Sequence, residues 1–267
     1  MGSMKIKCES ITPLLMHGAD GEKAELREQS FKGVMRFWWR AINGNLKVPE
    51  GGNFLEELKK REAEIFGNTQ RKSSFRMKIV KSNLHTSRFN PLPHKENKFM
   101  IEGFKPEETF EIEFKGKNLE KVKNIFILST ILGGFGQRAR RGFGSIKILE
   151  IDGENFEFKY SKDNIVELVK QINSNFSFDD RNFESKGKYP YIKNIEIGKR
   201  YSDYNELLKQ IGLATHKYPY FGSANPRYAS PVWVSVLKES EKFKPIITSL
   251  NGRGYWRKFN EFKGMIL

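Results

Sequence analysis

The spacing of hydrophobic and polar residues changes period several times along the chain, and each change marks a predicted element. Lys5 to Ser10 (KIKCES) alternates, as a strand with one buried face does. A Gly-containing loop and a charged stretch follow. Ser30 is a good helix N-cap, and FKGVMRFWWRAI behind it repeats apolar residues every three or four positions until Asn43-Gly44 ends the run. Residues 54–66 (FLEELKKREAEIF) read as a second amphipathic helix ended by Gly67-Asn68. SSFRMKIV (73–80) and TFEIEFKG (109–116) alternate as strands, and the Pro-containing stretch 85–98 between them reads as a loop or insertion. LEKVKNIFILSTILGG (119–134) has the length and period of a helix capped by Gly-Gly, and FGSIKILEID (143–152) returns to a strand.

With the extra helix at 54–66 set aside, this half runs strand, helix, strand, strand, helix, strand. That is the order of a ferredoxin-like or RRM-like sandwich. The rest predicts a helix at 163–173, a polar linker around 174–188, a strand at 191–197, a helix at 203–213, and strands at 231–237 and 245–250. The expected fold is therefore α+β, with antiparallel sheets and helices on one face: a ferredoxin-like unit over residues 4–152 and a second, less regular α+β unit over 153–267. Met1-Gly2-Ser3, ahead of a second methionine, reads as a cloning scar outside the fold.

Charge narrows the function. The 267 residues hold 47 Lys+Arg against 32 Asp+Glu, a formal net charge of +15, which favours a polyanionic partner. No run approaches the roughly 18 to 20 uncharged apolar residues that span a bilayer, so no membrane partner and a cytoplasmic location are expected. The single cysteine, Cys8, excludes an intrachain disulfide and a Cys-based zinc cluster, and the four histidines show no ligand spacing. No metal and no cofactor are expected.

Two basic constellations stand out. On a helical wheel, Phe31, Val34, Met35, Trp38, Ala41 and Ile42 form a core stripe, while Lys32, Arg36 and Arg40 line up on another flank with Trp39 at its edge. Such a row can follow successive phosphates, and an indole beside it can stack a base; no acid at i±4 within the helix pairs with these cations. Left to itself, the row is a solvated basic face.

The second constellation is GGFGQRARRGFGS (133–145), with five glycines, three arginines and no acid. Gly134 to Ala139 matches the G-x-G-x-x-G/A dinucleotide fingerprint, but a strand follows where a phosphate-binding helix should open. Arg141-Gly142-Phe143-Gly144 matches the start of an RRM signature, with Phe143 as a stacking residue, and Ser145 and Ile148 break its continuation. A third reading is a turn whose glycines, Gly134 and Gly136 among them, let backbone amides approach RNA while Arg138, Arg140 and Arg141 neutralise phosphates. A plain helix cap and turn is the fourth.

TPLLMHGAD (12–20), SFKGVMRFWWRA (30–41), EIFGNTQRKSSFRMKI (64–79) and the Gly-rich loop, in this order, resemble the RAMP superfamily of CRISPR proteins. Within it they are similar to the family of subunit one of the type III-B Cmr effector. NPRYASPVWV (225–234) resembles the strand entry of such proteins' second half. The resemblance implies two ferredoxin-like domains, contact with single-stranded guide or target RNA, and other Cmr subunits as partners. It places Lys32, Arg36 and Arg40 in a basic helix and Gly133 to Gly144 in a glycine-rich loop. RAMP-fold proteins also include metal-independent endoribonucleases that use a loop histidine. His17 is the candidate here, without a second acid–base group fixed near it by spacing. The favoured expectation is a non-catalytic RNA-binding subunit, against a nuclease or a module docking on acidic proteins. The two basic constellations are expected to share one groove.

Overall fold

The alternation of the first ten residues builds the central strand of a sheet. We analysed a computed structural model that describes residues 2–44, 46, 48, 50–96, 99–178, 190–219, 221–224, 227–252 and 256–267, with only the backbone at 223, 224 and 227. In it, β1 (Gly2–Ser10) buries Met4, Ile6 and Cys8. Gly2 and Ser3 already pair with Gly116 and Lys115, so these two residues belong to the sheet. After β1 come α1 (Glu28–Asn43), α2 (Phe54–Phe66), β2 (Phe75–Ser82), β3 (Thr86–Phe89), β4 (Ile101–Phe104), β5 (Thr109–Gly116), α3 (Leu119–Leu132), β6 (Ile146–Ile151) and β7 (Glu154–Asn155).

The sheet order is β2-β5-β1-β6-β7, antiparallel throughout. Without β7 it is the ferredoxin-like arrangement, in which the first strand lies between the third and the fourth. Two details differ from the sequence reading. The N-cap of α1 is Arg27, whose side chain makes no cap bond; Ser30 lies inside the first turn. Glu28 serves the helix start instead, a carboxylate at the positive end of the dipole that also accepts a bond from the Ile79 amide at 3.2 Å. The stretch read as a loop at 85–98 begins with β3, which pairs with β4 as a separate antiparallel hairpin. Each of these strands is four residues long, too short for alternation to show.

The second unit contains α4 (Lys162–Ile172), β8 (Ile192–Ile197), α5 (Tyr204–Lys217), β9 (Ser223–Ala224), β10 (Arg227–Tyr228), β11 (Val232–Glu239), β12 (Lys242–Leu250) and α6 (Phe259–Gly264). Much of the linker expected at 174–188 lies outside the described residues. The main sheet has the antiparallel order β11-β12-β8, equivalent to the first three strands of a ferredoxin-like unit. Among the described residues no fourth strand pairs with β8.

Both faces of this sheet are covered. Val232, Val234, Val236 and Ile247 pack with residues of α5 and α6, while Trp233, Leu237, Ile246 and Leu250 join the core of the first unit. The α3 helix is therefore buried around almost its whole circumference from Val122 to Leu132, between its own sheet and β11–β12. Ser235 Oγ donates to the Ile131 carbonyl at 2.6 Å across this junction. The α4 helix adds Ile165, Leu168, Val169 and Ile172 to the same core.

A shared core makes the two units unfold together. Urea denaturation should show one cooperative transition, and Leu237→Ala, at a position 1% exposed, should lower stability by about 2–5 kcal/mol. Two separated transitions, with only the later half shifted by the substitution, would contradict a common core.

Candidate nucleic-acid interface

Residues 133–145 leave α3 and return to β6 through a loop whose backbone is tied on three sides. Phe135 N donates to the Gly144 carbonyl at 2.9 Å, closing the loop's neck. Gln137 N donates to Leu15 O at 2.6 Å and Gly144 N to Pro13 O at 2.9 Å, which fastens it to the segment after β1. Gly142 N donates to Val234 O at 2.8 Å, and the Ser145 hydroxyl accepts from Val236 N at 3.0 Å, so the loop also covers the open edge of β11. Two glycines are required by this path. Gly144 has φ +67°, and a Cβ there would stand 1.9 Å from Phe135 O; Gly136 has φ +85°, with Leu15 O 2.4 Å from the Cβ position. Gly134 is buried against the Phe143 carbonyl.

After the loop crest comes a single 3-10 turn, Ala139–Arg141, and then β6. No helix opens there, so the dinucleotide reading of Gly134 to Ala139 lacks the amide cradle it needs. The stacking role expected of Phe143 is also overturned: the ring is 2% exposed and sits in the second core with Leu207 and Leu208.

The three loop arginines have three different environments. Arg141 donates to the carbonyls of Phe221 at 3.0 Å and Val232 at 3.2 Å, fixing the loop to the second unit. Burial, with Arg138 and Arg140 beside it, lowers its guanidinium to about 10, still protonated at neutral pH. Arg140 donates to Ser230 O and lies over the rings of Trp233 at 4.8 Å and Phe37 at 5.5 Å. Arg138 stands apart. It has φ +59°, its Nε is buried with no hydrogen-bond partner, and among the described residues it makes no ion pair. Burial depresses its guanidinium too.

The α1 stripe faces elsewhere. Glu62 of α2, 6% exposed, receives both Arg36, whose Nε lies 3.0 Å from its Oε1, and Arg40, whose Nη2 donates to the same oxygen at 2.8 Å. Arg36 further donates to the carbonyls of Phe66 at 3.2 Å and Gly67 at 3.0 Å, satisfying the end of α2. Lys32 sits over the Phe75 ring at 5.0 Å, its ammonium pulled down by burial and by Arg36. Trp39 is 2% exposed in the core, so it offers no platform for a base. The row is thus not a free phosphate track: its acid comes from another helix, which i±4 inspection cannot see. It also does not border the Gly-rich loop, contrary to the shared-groove expectation.

The flank of α1 that does meet the loop carries Ser30, Gly33, Val34 and Phe37. With Leu15 to Gly18, Gly136 and Gln137 it lines a cavity of about 500 Å³. A second cavity, of about 510 Å³, is lined by Arg138, Arg140, Arg141, Tyr228 and Trp233. The two share Gly136, Arg140 and Trp233, forming one groove across the loop crest. Trp233 lends its buried indole N–H, which has no hydrogen-bond partner. Phe37, Gln137, Tyr228 and Trp233 were not singled out from sequence. Trp233 looked like any buried strand residue of PVWV, and only the crossing of the two units puts it beside Arg140. Of NPRYASPVWV, Asn225 and Pro226 lie outside the described residues.

His17 pins this groove. Its Nε2 donates to Glu102 O at 2.8 Å, and its Nδ1 accepts from the Gln137 amide at 3.2 Å, so both ring nitrogens are engaged. Asp20 accepts from the Glu22 and Lys23 amides, which hold its carboxyl below the usual range. Among the described residues no group of three or more His, Cys, Asp or Glu is placed to hold a metal, and no helix is long and apolar enough to cross a membrane.

Replacing Glu62 tests the reassigned stripe. Glu62→Ala removes the carboxylate that two partly exposed guanidiniums share and should cost about 1–2 kcal/mol, less than a fully buried pair because solvent screens both arginines. A urea midpoint equal to that of the unaltered protein would contradict the pairing.

A model of the RAMP superfamily matches residues 7–147. The CRISPR system Cmr subunit Cmr1-2 of Pyrococcus furiosus is 33% identical over 175 residues, 52% of this chain and 91% of that protein. Subunit Cmr1-1 of the same organism is 28% identical over 227 residues, 76% of this chain and 63% of the relative. Among solved structures, the crystal structure of apo Cmr1 from Pyrococcus furiosus matches with a TM-score of 0.65 at 20% identity, over 96% of this chain and 90% of that one. A chain of the type III-B Cmr-beta complex bound to cognate target RNA, solved by cryo-EM, matches with a TM-score of 0.63 at 12% identity, over 99% of both. These structural likenesses establish the fold. Since the family match spans more than half of the 267 residues and the first relative is covered almost end to end, the chain belongs to the RAMP superfamily, where it is similar to the Cmr1 subunits of CRISPR systems.

Proposed function

We propose that this protein is a non-catalytic RNA-binding subunit of a type III-B CRISPR ribonucleoprotein, and that it holds single-stranded guide or target RNA in the groove over the Gly-rich loop. The observation that carries the reading is Arg138: a cation at the loop crest without an acidic partner, in a groove otherwise floored by Arg140, Tyr228 and Trp233. A half-buried cation whose Nε has no hydrogen-bond partner is costly, and a phosphate is the natural counter-charge. Beside it, Arg140 stacked on Trp233 and Phe37 makes a flat cationic surface suited to a backbone or base. The exposed glycine at 136 lets a ligand approach the main chain closely. The net charge of +15 supports a polyanion, and the likeness to a chain of an RNA-bound Cmr complex supports other Cmr subunits as neighbours. In this reading His17 positions Gln137 at the crest rather than moving protons.

Salt titration of binding to a labelled single-stranded RNA tests the groove. Arg138→Ala should weaken binding and reduce the slope of log K against log salt by about 0.7, one phosphate contact on a single strand. Lys32→Ala, on the side of α1 that faces Phe75, should leave the slope unchanged. The opposite pattern, or no RNA binding at low salt, would overturn the proposal.

A further inference from the structure

The β3–β4 connection carries a histidine that the groove reading does not use. His94 lies against α5, with its ring 5.5 Å from that of His216 and the two planes 34° apart. The approach depends on Gly212, because a Cβ there would stand 2.4 Å from His94 Nδ1. This nitrogen is buried and has no hydrogen-bond partner, while His216 is exposed. The charged and titratable groups that act on His94 come from every side: His216 on α5, Lys95 on its own segment and Arg138 from the Gly-rich loop. None is an acid. Burial and these three neighbours hold the His94 imidazole below its ordinary value.

The His94 and His216 imidazoles lie side by side, and the cations that act on His94 are Lys95 and the loop's Arg138, with no carboxylate among them: a cluster suited to an anion. We propose that His94, His216 and Arg138 form a phosphate-binding extension of the groove, at which the imidazoles take up protons from solvent as an RNA phosphate docks. Arg138 is the member common to the groove and the histidine pair. The inference rests on the RNA reading and adds to it a proton linkage: the bound phosphate raises both imidazoles toward their charged form, and each imidazolium donates an N–H to a phosphate oxygen. Affinity must then rise as pH falls through the histidine range, because the complex holds more protons than the free protein.

The test is RNA affinity of the full chain at constant ionic strength, from about pH 8 to about pH 6. The unaltered protein should bind at least about threefold tighter at the acid end, where one fully linked proton would give up to about tenfold per pH unit. His94→Gln combined with His216→Gln should flatten this dependence while keeping the Arg138-dependent salt slope. His216→Gln alone, at an exposed position, should reduce it without disturbing the fold. A pH dependence identical in the double variant, or affinity that falls toward pH 6, would overturn the histidine site and leave the groove standing. Absence of RNA binding at every pH would remove both.

Discussion

The open edge of β11 is the constraint around which this protein is organised. A sheet edge exposes a row of unpaired amides and carbonyls, and something must cover it. Here the cover is the Gly-rich loop of the other unit, through Gly142 to Val234, Ser145 to Val236 and the Arg141 guanidinium to Val232 and Phe221. The loop can follow that path only because its backbone turns through left-handed conformations at Gly136 and Gly144, where a side chain would meet a carbonyl oxygen. One segment thus closes a sheet, joins two cores and is left with a crest facing solvent. Its glycines serve the fold first, and access for a ligand follows from the same lack of side chains.

The arginines divide along the same logic. Arg141 is consumed by the junction, and Arg36 and Arg40 by the buried Glu62, while Ser230 and two aromatic rings hold Arg140 flat in the groove wall. Of the cations that the sequence singled out, Arg138 is the one left without a partner among the described residues, so the two basic constellations overstate the number of arginines free to bind.

Much of this fold was legible from periodicity, since β1, β2 and β5 alternate and α2 falls where its apolar spacing puts it. The hairpin β3–β4 was not, because four-residue strands carry no measurable period. Buried and exposed aromatics were the harder problem. Trp39 and Phe143 sit beside arginines in the sequence and look like stacking residues, yet both close onto cores built by distant segments. Phe37 and Trp233, by contrast, become a groove wall only when α1 and β11 meet. The pairing of the α1 stripe by Glu62 had the same cause: the acid lies on another helix. What the sequence pattern conveyed well was local; the site is made of contacts between units.

The central claim is that RNA lies over the loop crest, between α1 and β11. Ultraviolet crosslinking of the full chain to a uridine-rich single-stranded RNA, followed by mass spectrometry of the attached peptides, tests it most directly. RNA seated there should crosslink to peptides that carry Phe37, Gln137, Tyr228 or Trp233. Crosslinks confined to α2 or to the outer face of the first sheet, with none at the loop crest, would contradict it.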